Sequence, residues 1–117
     1  MDTNADLIER LFEIVDGRRW DELGGVFAAD AVYFRPGYAD ITGLDELTHF
    51  YRDVRRIESG KHQLSGVLSD GRTGCCWGRF EGVDRAGEPL SEYFADWYTF
   101  TGPLIQDRRT FFFRPAI

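Results

Sequence analysis

The chain has 117 residues, a length that one domain ordinarily fills. At 43% hydrophobic and 15% aromatic it carries enough apolar side chain for a core, which excludes a disordered segment. Fourteen Lys and Arg against twenty Asp and Glu give a net charge of −6, and no basic run exceeds two residues, so nucleic acid is not an expected partner.

The first half reads as helices. Leu7, Ile8, Leu11, Phe12 and Val15 recur at helical spacing, with Thr3 or Asn4 as cap and Gly17 as stop. Trp20, Leu23, Val26 and Phe27 mark a short second helix, and Ala31 to Arg35 a short strand halted by Pro36-Gly37. A third helix is predicted from about Gly43 to Ile57, with Leu44, Leu47, Phe50, Tyr51, Val54 and Ile57 as its apolar stripe. Its other face carries Asp45, His49, Arg52 and Arg56.

From Lys61 the pattern changes to extended segments, over 61–69, 72–83, 89–101 and 104–113. The links Ser69-Asp70-Gly71, Asp84-Arg85-Ala86-Gly87 and Thr101-Gly102-Pro103 are short, which makes sequential strands antiparallel. The expected fold class is therefore α+β: one domain over residues 1–117, three N-terminal helices and then a curled antiparallel sheet. On the last strand Arg108, Thr110 and Phe112 share one face, and Arg109, Phe111 and Phe113 the other. Trp97, Phe111 and Phe113 then form an apolar patch on the uncovered face, which predicts a homodimer built sheet to sheet.

No apolar run approaches the ~18 residues that a membrane helix needs, and the polar, acidic start from Met1 to Asp6 does not read as a secretory signal. The adjacent Cys75 and Cys76 point to opposite faces of a strand, so no disulfide and a reducing, cytoplasmic setting are expected. With two histidines and no metal-ligand spacing, no metal site is expected. No phosphate-cradling or nucleophile-elbow string occurs.

Several strings point further. Phe27-Ala28-Ala29-Asp30-Ala31, Pro36, Gly43-Leu44-Asp45-Glu46-Leu47 and Phe50-Tyr51-Arg52 resemble the ketosteroid-isomerase and SnoaL-like branch of the nuclear-transport-factor-2-like superfamily. Phe94-Ala95-Asp96-Trp97-Tyr98-Thr99-Phe100 and Leu104-Ile105 leading to Arg109-Thr110-Phe111-Phe112 resemble its final hairpin. The resemblance implies a cone of curved sheet and helices around an apolar pocket. It implies no single activity, because the superfamily holds isomerases, polyketide cyclases, dehydratases, epoxide hydrolases and binding proteins. Carried over by position, the isomerase's shuttling aspartate falls on Arg35 and its oxyanion tyrosine on Leu11, whereas its second oxyanion donor matches Asp96. An aspartate of the epoxide-hydrolase branch falls on Thr110.

Three residues stand out as acid–base or oxyanion candidates. Asp96 interrupts an aromatic strand, on the same face as Phe94, Tyr98 and Phe100. Burial there would leave a neutral, proton-holding acid, as in the ketosteroid-isomerase case; the alternative is a carboxylate paired with Arg108 or Arg79. His62 shares a strand face with Leu64 and Leu68 and is a general base or acid, a cap on the end of the third helix, or a core histidine bonded to a backbone carbonyl. Arg35 would grip an enolate, phenolate or carboxylate, or else form a rim ion pair with Asp40 or Glu92. Trp20, Tyr33, Tyr38, Tyr51, Trp77, Phe94, Tyr98, Thr110 and Phe112 are the expected pocket lining. The chemistry expected is a cofactor-independent isomerisation, cyclisation or dehydration of a hydrophobic, carbonyl-bearing small molecule; the alternative is a carrier of the same fold.

Overall fold

A computed structural model describes residues 3–114, with the side chains from residue 4 onward. The first helix, α1, spans Thr3–Asp16, and both residues proposed as its cap lie inside it. Its stripe is buried as expected: Ile8 and Leu11 have no exposed surface, and Leu7, Phe12 and Val15 little; Ile14, outside the predicted stripe, is buried too. Each such side chain contributes about 1.5–3 kcal/mol on leaving water. The second helix is a 3₁₀ turn, Trp20–Gly25. Phe27, expected inside it, instead begins strand β1, Phe27–Phe34, which starts four residues before the predicted strand. Two adjacent glycines end the helical segment there.

Strand β2, Ile41–Thr42, pairs antiparallel with β1. Helix α2 covers Leu44–His49 and then widens into a π turn, Phe50–Val54. The Arg55 N–H reaches back to the Phe50 carbonyl at 2.8 Å, one residue further than an α-helical bond. That extra residue turns the helix out of phase. Val54, expected in the apolar stripe, is 42% exposed, and Arg55, absent from the stripe, is buried. Arg85 holds the turn by donating from Nε to the Arg55 carbonyl and from Nη2 to that of Arg52.

Four long strands follow: β3 Ile57–Ser69, β4 Thr73–Asp84, β5 Pro89–Thr101 and β6 Leu104–Phe112. They pair antiparallel in sequence order, as their short links require. The sheet order is β2-β1-β6-β5-β4-β3, and β1 lies parallel to β6, so the sheet is mixed. Link length governs only consecutive strands, and β1 and β6 are the two most distant partners in the chain. The helices cover the concave face.

Curvature comes from bulges. The β3–β4 register slips between Leu64 and Gly66, which flips the strand's parity. Leu68, predicted on the His62 face, is consequently 62% exposed, and Val67 packs against the core in its place. Close backbone approach accompanies the slip: a Cβ on Gly78 would stand 2.1 Å from the Gln63 carbonyl oxygen. Gly78→Ala should therefore cost about 1–3 kcal/mol, read as a lowered urea midpoint. A neutral effect would show that the bulge yields freely.

Candidate functional site

The helices and the concave sheet face enclose one small cavity. Its apolar wall is Val15 from α1, Ile57, Phe80 from β4, Phe94 from β5 and Phe112 from β6. Its polar wall is Arg35, Tyr51, Arg55, His62, Arg108 and Thr110. The cavity volume is about 20 Å³, room for one water.

His62 is held at both its backbone and its ring by the last residue of α1. The Asp16 carboxylate accepts from the His62 N–H at 2.8 Å through Oδ2 and sits 2.5 Å from Nδ1 through Oδ1. An ionised carboxylate only accepts, so the proton is on Nδ1 and Nε2 is left as the basic nitrogen. The ring is packed among Phe12, Phe80 and Phe94, with centroids 4.7, 4.7 and 5.4 Å away. Burial pushes its pKa below the ordinary 6.5; Asp16 opposes the shift, and Arg108 and Arg55 reinforce it. No sequence alternative had this partner, which comes from an element 46 positions away.

Asp96 is in the paired arrangement. Its Oδ2 accepts from Arg108 Nε at 3.0 Å and Nη2 at 2.8 Å, and from the Tyr98 hydroxyl at 2.8 Å. Its Oδ1 accepts from Thr110 Oγ1 at 2.6 Å. The carboxylate lies behind the cavity wall, with Arg108 and Thr110 between it and the space. A neutral, proton-donating Asp96 does not match these contacts, because every neighbour donates to it. Burial pulls the Arg108 pKa down, yet Asp96, with Tyr33, Tyr51 and Tyr98, more than offsets this and holds it well above the ordinary value.

The hydroxyls extend the network in one direction. Arg35 Nη1 donates to the Tyr33 hydroxyl at 2.9 Å, Tyr33 lies 2.7 Å from Thr110 Oγ1, and Thr110 donates to Asp96. Since Arg35 can only donate, the Tyr33 proton goes to Thr110 and every bond is oriented toward Asp96. Arg108 Nη1 also donates to the Tyr51 hydroxyl, whose own proton remains for the cavity. Burial pushes the Tyr51 pKa up to about 12, so it stays a phenol.

Of the expected lining, Tyr51, Phe94, Thr110 and Phe112 reach the cavity, together with Arg35 and His62. Tyr33 and Tyr98 are buried in the hydroxyl network behind it. Trp20 stacks on the back of Tyr51 at 5.8 Å, and Tyr38 packs edge-on against Phe50 at 5.1 Å, outside the cavity. Trp77 is corrected outright: β4 parity places it on the convex face, 42% exposed. Arg35 is buried over the rings of Phe50 and Phe112, and Glu92 pairs with Arg114. Arg55 and Asp16 were missed, the first hidden by the π turn and the second sitting at a helix end. Among the described residues no cluster of His, Cys, Asp and Glu could hold a metal, and no helix is long and apolar enough to cross a membrane.

Two outcomes follow. Asp96→Ala leaves Arg108 buried without its counter-charge and should cost about 3–5 kcal/mol by urea denaturation. His62, held below its unfolded value, adds stability that is complete above about pH 6.5 and is lost as pH falls through the folded pKa. The Tm of the native chain should therefore drop on acidification through that window more than that of His62→Gln.

Comparison with known proteins agrees with this architecture. A protein of the NTF2-like class from Burkholderia pseudomallei K96243 superposes with a TM-score of 0.87 at 17% identity, over 96% of this chain and 92% of that one. A protein described as a SnoaL-like polyketide cyclase, from Jannaschia sp. CCS1, gives 0.82 at 14%, over 95% and 85%. An LEH-like epoxide hydrolase from M. tuberculosis gives 0.81 at 13%, over 94% and 82%. At these identities the likeness is one of fold. A comparison with curated protein sequences finds no match. The SnoaL-like domain family model matches residues 8–108, and the chain belongs to that family.

Proposed function

We propose that the cavity performs acid–base chemistry on a small, carbonyl-bearing hydrophobic molecule, with His62 as the base, in an isomerase, cyclase or dehydratase reaction that needs no cofactor. The observation that carries this reading is the Asp16–His62 pair, 2.5 Å apart at Nδ1, with the ring in the cavity wall. Nε2 takes a proton from the carbon beside the carbonyl, and the electron pair moves onto the carbonyl oxygen. The Tyr51 hydroxyl and the Arg108 and Arg35 guanidiniums line the same space and stabilise that oxyanion. Return of the proton to another carbon completes an isomerisation; its delivery to a departing hydroxyl completes a dehydration. Asp96 fixes Arg108, Thr110 and Tyr98 in place and is a positioning residue in this scheme.

The names borne by the structural relatives, among them a polyketide cyclase and an epoxide hydrolase, are compatible with small-molecule chemistry in this fold. A second reading, a non-catalytic carrier, is favoured by one observation: Asp96, the one acidic group that the resemblance retains, is spent in a buried ion pair and accepts from every neighbour. The uncovered sheet face supports the expected homodimer. Trp97, Phe111 and Phe113 are 38%, 53% and 86% exposed, joined by Trp77 and Tyr93.

Deuterium uptake from D₂O next to the carbonyl, followed by NMR across a panel of enolisable aromatic ketones, tests the chemistry. His62→Gln should slow exchange about 10²–10⁴-fold with the fold intact. Exchange by the native chain should fall in acid, with an apparent pKa below 6.5. Asp16→Asn should slow it and move that acid limb lower still, because Asp16 raises the His62 pKa. Binding without exchange would establish the carrier reading. For the assembly, light scattering should give a dimer mass that Phe111→Glu halves; a native monomer would end that idea.

A further inference from the structure

The charge of the cavity wall narrows the ligand class, an inference that rests on the cavity assigned above but not on its chemistry. Three guanidiniums, Arg35, Arg55 and Arg108, face one small space. Arg35 is engaged by the Tyr33 hydroxyl, and among the described residues the carboxylates of Asp96 and Asp16 are both committed. Asp96 accepts from Arg108, and Asp16 holds His62. Arg55 is different. It is 4% exposed, its Nε is buried with no hydrogen-bond partner, and no carboxylate of the described residues lies within ion-pair distance of it. The rings of Tyr51 and Trp20, 5.5 and 5.8 Å from its guanidinium carbon, face its charge. Burial lowers its pKa to about 10, with Arg35 and Arg108 adding to the effect, yet it remains a cation at neutral pH.

A buried cation without a counter-ion is costly, and leucine or methionine would fill the same volume without that cost. The backbone nonetheless makes a special effort to bring it in. The π turn at Phe50–Val54 swings Arg55 from the helix surface to the cavity, and Arg85 ties off the carbonyls of Arg52 and Arg55. The chain as a whole is acidic, at −6, so this local surplus of positive charge runs against the composition.

We propose that the cavity binds a small organic carboxylate, with Arg55 as its principal anchor and Arg35 as a second cation. The ligand's apolar part lies against Phe80, Phe94 and Phe112. A guanidinium offers a carboxylate two parallel donors, which is the geometry an orphaned Arg55 Nε calls for. The cavity as it stands holds about one water, so seating the carboxylate and its apolar part requires the wall side chains to move apart.

The test compares acids with their neutral isosteres by titration calorimetry on the native protein: benzoate with benzamide, and isobutyrate with isobutyramide. At least one acid should bind about ten-fold or more tightly than its amide, and weaken with added salt. Arg55→Met should lose that preference and at the same time raise the Tm of the ligand-free protein, because it removes an uncompensated buried charge. The exposed Arg52→Met should keep the preference. Equal binding of acid and amide, no binding of either acid, or full acid binding by Arg55→Met would overturn the proposal; the first two are read on the native chain and need no variant to fold. The His62→Gln variant separates this from the catalytic reading: it should keep acid binding while losing exchange.

Discussion

The interior of this protein is organised around one ion pair that water does not reach. The Asp96 side chain has no exposed surface and that of Arg108 has 5%, and between them they engage β5, β6, Thr110, Tyr98 and Tyr51. Pairing alone would not repay the loss of hydration for two such groups. The two hydroxyl donors on Asp96 and the phenol acceptor on Arg108 supply the rest, and their orientation is forced because a guanidinium can only donate. Through Thr110 and Tyr33 the same order extends to β1 and Arg35. The polar core is thus a directed lattice that joins the parallel β1–β6 contact to the antiparallel hairpins.

That lattice forms one side of the cavity, and the aromatic cluster around His62 forms the other. They differ in what they leave available. Asp96 has its acceptors filled, whereas His62 is fixed through Nδ1 and keeps Nε2, and Tyr51 keeps a proton. Arg55 keeps a charge. His62, Tyr51 and Arg55, each with unused capacity, line the cavity, and the satisfied Asp96 stands behind its wall. Burial acts on both, raising Tyr51 toward a permanent phenol and lowering His62 toward a neutral base at physiological pH.

Curvature is what allows one face to hold so many side chains. The register slip beside Gly66 and the close approach at Gly78 bend β3 over β4, and the flipped parity turns Leu68 outward while keeping His62 inside. The convex face pays with exposed aromatics at Trp77, Tyr93, Trp97 and Phe111.

Patterns of short range were legible in the chain itself. Helical spacing over Leu7 to Val15, strand alternation from residue 61 onward and glycine-bearing turns specify α1 and the antiparallel hairpins, because each depends on neighbours a few residues apart. Strand parity likewise places Asp96, Tyr98, Arg108 and Thr110 on one face, and motif likeness indicates the fold. Contacts across the chain decided the rest. The β1–β6 pairing, Asp16 meeting His62 and the choice of Arg108 over Arg79 for Asp96 depend on which distant elements pack together. A bulge or a π turn shifts every later side chain by one position, and no periodicity announces either. Leu68 and Val54 face solvent against their periodicity for that reason, and Arg55 turns inward with no signal in the sequence. Periodicity reports which way a residue points only while the repeat is unbroken; where it breaks, the folded chain alone sets the direction.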